Sequence, residues 1–198
     1  NNHMWDWGGE ALLDTVRILK SNGIIPIGAG EDELSANGSV VRKVGSTKVA
    51  FLAYTTLYPH SLEASGNKPG ISRFDEDAIA AAIGAVRQNA DIVVVSLHWG
   101  EEYESNANAE QKRIARTLIV AGADIVVGHH PHVVQEVERY GNGLIFYSLG
   151  NFVFDQNFSD ATMEGLMMEV TIIDGSIITA RQIPLKISPT FQPYIPEL

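Results

Sequence analysis

Residues 125–132 have the sequence Ile125-Val126-Val127-Gly128-His129-His130-Pro131-His132, in which a short aliphatic run leads directly into three histidines. The aliphatic run predicts a buried strand. Pro131 cannot donate a ladder hydrogen bond and biases His130 toward an extended backbone, so we expect the chain to leave the sheet here. Imidazole is the commonest metal ligand in proteins, and half of the six histidines of the chain lie in this stretch. The stretch therefore predicts a metal-binding loop, against the alternative of histidines that only cap backbone groups.

A second aliphatic run, residues 92–97, also ends at a histidine, His98. Neither run alternates with polar residues, which is typical of parallel strands that are covered on both faces. Each run is preceded by a helical pattern, over residues 78–88 and 109–121 respectively. If the two strands are parallel, as a right-handed strand-helix-strand crossover requires, His98 and residues 129–132 emerge at the same carboxyl edge of one sheet.

The rest of the chain predicts smaller elements around this parallel unit. Before it, apolar residues between 12 and 19 predict a helix that is stopped by Asn22-Gly23. A buried strand is expected at 24–27, with an exit turn at 28–30. A hairpin of residues 40–44 and 49–54 and a polar connection from 55 to 73, which contains His60, should follow. After it, we expect a hairpin of residues 133–140 and 144–148, a second hairpin of residues 163–173 and 176–186, and an extended tail. Together these elements predict one α/β domain over residues 1–187 and a tail over 188–198.

Composition excludes several classes of protein. The 198 residues are 45% hydrophobic, which is enough for a sizeable core. The 24 acidic residues outnumber the 14 basic ones and give a net charge of -10, which argues against nucleic acid as a partner. An anionic substrate would need a local positive centre, such as a bound cation, in this negative field. The chain has no cysteine, so thiolate zinc sites, disulfides and cysteine nucleophiles are excluded.

Further polar and aromatic residues near the ends of the predicted strands are candidates for the site. Glu101, Glu102 and Glu104 could be metal ligands or general bases, although acids after a glycine are also typical of a solvated loop. Asn151 could contact a substrate oxyanion or coordinate a metal, or it could belong to an ordinary Gly-Asn turn. The side chains that could line a pocket, or pack as its wall, are Trp99, Tyr103 and Phe152.

Four groups of motifs occur in order along the chain. They are Asn1-Asn2-His3 with Asp6-Trp7-Gly8, His98-Trp99-Gly100 with Glu102-Tyr103, Gly122-Ala123-Asp124 running into Gly128-His129-His130-Pro131-His132-Val133, and Tyr147-Ser148-Leu149-Gly150-Asn151-Phe152. On these motifs the sequence resembles the CapA-type bacterial capsule-synthesis proteins of poly-gamma-glutamate biosynthesis, which are relatives of the calcineurin-like metallophosphoesterases. The resemblance implies an α/β metallophosphoesterase-like sandwich of mixed sheets flanked by helices.

The resemblance also implies roles for individual residues. In the phosphoesterase superfamily, a Gly-Asn-His-type motif supplies a metal-ligand asparagine and a histidine that assists the leaving group. Those roles would fall on Asn2 and His3, with His3 as the general acid. A lone downstream histidine supplies a further metal nitrogen, which would be His98.

The last metal nitrogens of the family come from a Gly-His-x-His motif, and here two assignments stay open. His130 has the His-x-His interval to His132, whereas His129 has the preceding glycine. The superfamily's Asp-x-His and Gly-Asp motifs, of which the second bridges the metals, would precede Asn1. We therefore expect that the amino-terminal part of the domain is missing from this sequence.

By the same resemblance, the ions would be divalent Mn, Fe, Zn or Mg, in a site that would be dinuclear in the full-length protein. The implied function is hydrolysis of a phosphoester or related bond in poly-gamma-glutamate or another anionic cell-envelope substrate. The implied location is extracytoplasmic, together with a membrane capsule-synthesis complex. The alternative is a non-catalytic polymer-binding or assembly component of the capsule export machinery, and a third hypothesis is an unrelated cytosolic metal hydrolase.

Overall fold

The computed structural model describes residues 1–196. The helices are α1 (Gly8–Ser21), α2 (Glu33–Asn37), α3 (Glu76–Arg87) and α4 (Ala109–Val120), with 3-10 turns at His60–Leu62 and Ala161–Met163. The strands are β1 (Ala29–Gly30), β2 (Val40–Val44), β3 (Thr47–Thr55), β4 (Gly70–Ile71), β5 (Ile92–His98), β6 (Ile125–His129), β7 (Val137–Tyr140), β8 (Gly143–Phe146), β9 (Glu164–Ile173), β10 (Ser176–Ile187) and β11 (Pro193–Tyr194). Within residues 1–196, no helix combines the length and the apolarity that crossing a bilayer would require.

A six-stranded sheet of order β2-β3-β5-β6-β8-β7 forms the centre of the fold. Strands β3, β5, β6 and β8 are parallel, and the edge strands β2 and β7 pair antiparallel with their neighbours. Helices α3 and α4 pack on one face of this sheet. A smaller antiparallel sheet of order β11-β10-β9 covers part of the other face. This mixed α/β sandwich confirms the predicted fold class.

The two aliphatic runs are covered on both faces, which explains their lack of polar alternation. Alternate residues of β5 and β6 pack against the helices, and the others, including Val94 and Ile125, pack against the smaller sheet. His98 lies four residues after Val94, and His129 lies four residues after Ile125, so both histidines point toward the face of the smaller sheet. The parallel register places His98 directly beside His129.

An aspartate before each of these strands closes the amino-terminal end of the neighbouring strand. The carboxylate of Asp91 accepts a hydrogen bond from the backbone N–H of Lys48 at 2.7 Å. The carboxylate of Asp124 accepts one from the N–H of Val93 at 2.7 Å and also pairs with the guanidinium of Arg87. The aspartates of the similar Asn-Ala-Asp and Gly-Ala-Asp turns therefore both accept a backbone hydrogen bond from the neighbouring strand.

Replacing Asp124 with alanine is expected to lower the free energy of unfolding by about 2 kcal/mol. The N–H of Val93 would lose its acceptor and Arg87 its partner, and a hydrogen bond to a charged group contributes about 1.5–3 kcal/mol. Denaturant titration measures the loss. The matched control is Asp14→Ala, because the Asp14–Arg17 pair lies on an exposed helix surface and such pairs contribute less than about 1 kcal/mol. Equal losses in the two variants would contradict the role given to Asp124.

The buried strand predicted at 24–27 is wrong. Ile24 and Ile25 are exposed by 55% and 47% of their surface, and Pro26 has no N–H to donate to a ladder. The paired residues lie further on, in β1, which forms a two-residue antiparallel ladder with β4. The 24–27 segment instead borders a surface groove beside β2 and β3.

The carboxyl-terminal tail is less extended than its sequence predicts. After β10 the chain turns at Ser188, whose N–H donates to the carbonyl of Gln192 at 2.9 Å. Strand β11 then pairs antiparallel with the end of β10. Residues 197 and 198 of the predicted tail lie outside the described residues, and the domain boundary at 187 stays a prediction.

Candidate metal centre

The carboxyl ends of β5 and β6 meet at one edge of the six-stranded sheet. Beyond the register pair of His98 and His129, the N–H of Trp99 donates to the carbonyl of His129 at 3.1 Å, so the two strands stay together up to the loops. The ring centroids of His98 and His130 are 4.9 Å apart. His98 therefore lies beside the histidine loop, as the predicted topology requires.

The side chain of Trp99 packs against Gly128, at the start of the histidine loop. It is 1% exposed and lies in the helix-side core, and its indole N–H donates to the backbone carbonyl of Tyr147 at 3.0 Å. A β-carbon on Gly128 would overlap both the carbonyl oxygen of Tyr147 and the indole nitrogen of Trp99. The glycine before the histidines is therefore required by packing.

The backbone of the histidine loop is strained. His130 has φ +104° and His132 has φ +61°, and Tyr103, which faces them, has φ +67°. Side-chain-bearing residues adopt such angles at a cost of about 1–3 kcal/mol, mainly at functional sites. His130 thus avoids the helical region, as a residue before proline must, but it is not extended as the sequence predicts. The N–H of Tyr103 donates to the carbonyl of Pro131 at 2.8 Å and joins the two loops.

Glu102, His130 and His132 form a group whose ligand atoms all lie within 4.8 Å of one another. The Nε2 atom of His132 is 4.0 Å from a carboxylate oxygen of Glu102. The Nδ1 atom of His130 is buried and makes no hydrogen bond to any part of the chain that the structure describes. An unsatisfied buried polar atom is costly, and imidazole nitrogens with a carboxylate oxygen are a donor set that suits Zn, Mn or Fe. The arrangement therefore fits a divalent cation.

Burial favours the neutral form of three imidazoles at this edge. Burial lowers the pKa of His98 to about 2 and also lowers the pKa of His129 and of His130. Neutral imidazole is the ligand form of histidine, so a metal need not displace protons from these rings at neutral pH. The Nε2 atom of His98 lies 3.0 Å from the side-chain oxygen of Asn2. The predicted pair of ligands Asn2 and His98 is therefore in contact.

His129 and His130 point into different surroundings. His129 lines a largely apolar cavity of about 440 Å³ between the two sheets, together with Val94, Phe146 and Leu166. His130 lies with Glu102 and with the third histidine of the loop. The geometry thus favours His130 as the partner of His132, although the identity of the ligands stays a prediction.

His3, the predicted general acid, lies at the exposed side of the site. Its Nδ1 atom is 2.7 Å from a carboxylate oxygen of Asp6, and both side chains are at least half exposed. The Asp6 carboxylate can therefore orient the His3 ring through Nδ1.

The remaining contacts surround His132. Its Nδ1 atom lies 2.8 Å from the side-chain oxygen of Asn151, so Asn151 contacts a histidine directly. The ring of Tyr103 stacks on His132 with centroids 6.0 Å apart. Sequence reasoning missed Phe154, whose ring centroid is 5.1 Å from that of His132, and Phe158, which packs edge-on against Tyr103. The three phenylalanines that closely follow Asn151 in the sequence could have indicated these contacts.

A sandwich with a mixed central sheet and histidines clustered at its carboxyl edge defines the class, which is the metallophosphoesterase-like fold. The 5'-nucleotidase precursor from Thermus thermophilus shares it with a TM-score of 0.58 and 19% identity, over 96% of this chain and 38% of that chain. The NAD nucleotidase NadN of Haemophilus influenzae shares it with a TM-score of 0.56 and 14% identity, over 99% of this chain and 42% of that chain. At such identities the likeness shows the fold alone.

Within this class, the chain belongs to the bacterial capsule synthesis protein family PGA_cap, whose model matches residues 1–156. It is 37% identical over 191 residues to the capsule biosynthesis protein CapA of Bacillus anthracis, covering 94% of this chain and 46% of that protein. It is 39% identical over 160 residues to the PGA biosynthesis protein CapA of Bacillus subtilis strain 168, covering 80% of this chain and 42% of that protein. The predicted family resemblance is confirmed, and the chain spans about half the length of these relatives.

Proposed function

We propose that the full-length protein is a divalent-metal-dependent hydrolase of capsule biosynthesis that cleaves a phosphoester or related bond. The observation that carries this proposal is the group of Glu102, His130 and His132, in which a buried ring nitrogen of His130 has no partner among the described residues. That nitrogen has no partner among the described residues, and a bound cation would satisfy it.

The chain's own residues suit such a reaction. Glu102, His130 and His132 would hold one ion, and Asn2 and His98 lie beside them at the same edge. A bound divalent cation would polarise a phosphoryl oxygen and supply a nucleophilic hydroxide near neutral pH.

His3 is proposed as the proton donor to the leaving oxygen. Its contact with Asp6 fixes one ring nitrogen and leaves the other free for the substrate.

The substrate is proposed to be an anionic envelope polymer such as poly-gamma-glutamate. The relatives named for capsule or PGA biosynthesis support this class, and the net charge of -10 makes a cation the natural anchor for an anionic group. On the same grounds we propose an extracytoplasmic, cell-envelope location and association with a membrane capsule-synthesis complex.

A non-catalytic polymer-binding role is the second candidate. It is favoured by exposed aromatic side chains beside the site, because Phe152 and Phe158 are exposed by 57% and 63% of their surface. Such rings offer a binding surface that needs no chemistry.

Hydrolysis of a generic phosphodiester by the full-length protein with added Mn²⁺ separates the two candidates. We expect turnover that EDTA abolishes and that Mn²⁺ restores. The variant His3→Ala should lower kcat by about 10²–10⁴-fold while leaving the bound metal unchanged, because general acid catalysis contributes about that factor. Metal-loaded protein that binds poly-gamma-glutamate but shows no turnover would refute the hydrolase and support the binding role.

A further inference from the structure

A closed ring of contacts lies behind His132. Its Nδ1 atom is bonded to the side-chain oxygen of Asn151 at 2.8 Å. The Asn151 amide donates to the side-chain oxygen of Gln156 at 3.2 Å, and the Gln156 amide donates to the hydroxyl of Tyr103 at 3.1 Å. The ring of Tyr103 then stacks back on His132. We propose that Asn151 and Gln156 are positioning residues that hold the His132 ring in one tautomer, with Nε2 presented to the metal beside Glu102.

The direction of each hydrogen bond follows from the backbone carbonyl of Thr162. That carbonyl can only accept, and the side-chain nitrogen of Asn151 lies 3.0 Å from it. The side-chain oxygen of Asn151 must therefore face His132, and an oxygen that only accepts requires the proton on Nδ1. In the neutral ring, the Nε2 atom of His132 is then the unprotonated acceptor. It lies 4.0 Å from the Glu102 carboxylate, and two acceptors at that spacing are suited to sharing a cation.

The backbone of Gln156 is itself held in place by Thr162. The hydroxyl of Thr162 donates to the carbonyl of Gln156 at 2.6 Å, and the N–H of Thr162 is bonded to the hydroxyl of Ser159 at 3.2 Å. Thr162 is 1% exposed and Asn151 is 7% exposed, so the hydrogen bond from the Asn151 amide to the Thr162 carbonyl is shielded from water. The segment from 151 to 162 therefore forms a bracket around the back of His132.

The contacts of Gln156 favour a positioning role over a stability role. Its side-chain amide joins Asn151 to Tyr103, and both of these touch His132. Outer-shell partners that orient a metal-bound histidine are worth about 10–100-fold in metal affinity. This inference rests on the metal binding proposed above, but the tautomer of His132 can be measured without metal.

Two measurements on the full-length protein test the proposal. The first is ¹⁵N NMR of the metal-free protein with labelled histidine at about pH 8, where an ordinary imidazole is neutral, with the His132 signal assigned by its absence from His132→Ala. We expect the Nδ1–H tautomer in the wild type and a shift toward Nε2–H in Asn151→Ala. The second is the dissociation constant for Mn²⁺, which should rise about 10–100-fold in Asn151→Ala and by a smaller factor, about 3–10-fold, in Gln156→Ala.

The variants Gln156→Glu and Asn157→Ala serve as controls. A glutamate at 156 can accept from the Asn151 amide and from the Tyr103 hydroxyl, so it should retain the wild-type tautomer and most of the Mn²⁺ affinity. Asn157 is an exposed neighbour in the same segment, and its replacement should change neither readout.

An unchanged His132 tautomer in Asn151→Ala, or wild-type Mn²⁺ affinity in both Asn151→Ala and Gln156→Ala, would overturn the positioning role. A shifted tautomer in a protein whose wild type binds no Mn²⁺ would support the orientation of His132 while refuting the proposed function. The two failures are thereby distinguishable.

Discussion

Replacing His132 with alanine in the full-length protein is expected to weaken Mn²⁺ binding by more than roughly 100-fold. The His132 ring supplies one of three ligand atoms that lie within 4.8 Å of one another, and its removal leaves Glu102 and His130 as an incomplete set. The loss of an outer-shell partner already costs about 10–100-fold in affinity, so the loss of a direct ligand should cost more. Equilibrium dialysis with elemental analysis measures the bound metal and the dissociation constant.

The matched control for this experiment is His60→Ala. The His60 side chain is 82% exposed and its Nδ1 atom pairs with Glu63 at 2.9 Å, within a connection that supplies none of the residues of the metal cluster. This variant should bind Mn²⁺ like the wild type. If both variants keep wild-type affinity, the proposed ligand set is wrong.

The same assay decides between the two open assignments in the loop. His130→Ala should reduce Mn²⁺ affinity about as much as His132→Ala, because the two rings share the cluster. His129→Ala should reduce it less, since His129 lines the cavity between the sheets. The reverse order would make His129 the ligand and would leave the buried Nδ1 atom of His130 without an explanation.

The parallel core and the meeting of the histidines could be predicted because local and global signals agree there. An uninterrupted aliphatic run is typical of a parallel strand that is buried on both faces, and parallel strands joined by a helical crossover have their carboxyl ends at the same edge of the sheet. Those two rules place His98 and His129 at the same edge, and the register observed in the structure sets the two residues side by side. No side-chain detail is needed for that conclusion.

The choice between His129 and His130 could not be made from sequence because it depends on where β6 ends. The sequence predicts a strand that ends at Val127, whereas β6 continues to His129. Alternation from Ile125 then turns His129 toward the smaller sheet, and His130 is the first residue free to take φ +104°. An error of two residues at a strand end thus reverses the assignment of adjacent side chains.

The bracket that residues 151–162 form behind His132 could not be predicted from the sequence for a different reason. Its bonds join Tyr103 to Gln156 and His132 to Asn151, and such contacts between distant segments leave no periodicity in the sequence. The error at 24–27 is the converse case, because three isoleucines suggest a strand but Pro26 removes a donor. Hydrophobicity alone does not supply a pairing partner.

Replacing Gly128 with alanine is expected to lower the free energy of unfolding by about 2–6 kcal/mol. The new β-carbon would overlap the carbonyl oxygen of Tyr147 and the indole nitrogen of Trp99, and it would break the 3.0 Å hydrogen bond between them. Overpacking costs about 1–3 kcal/mol, and a buried donor left without its acceptor costs about 1–3 kcal/mol more. Neither neighbour can yield cheaply, since one is backbone and the other is a buried ring.

Gly84→Ala is the matched control for that loss, because it makes the same chemical change where there is room. Gly84 is an exposed residue of α3, and a β-carbon there would meet no atom within 4 Å. Alanine exceeds glycine in helix propensity by up to about 1 kcal/mol, so this variant should be more stable than the wild type. Denaturant titration of both variants should therefore give changes of opposite sign. A Gly128→Ala variant with wild-type stability would mean that β6 and β8 can separate freely at the histidine loop, and the rigid support inferred for the metal site would then be wrong.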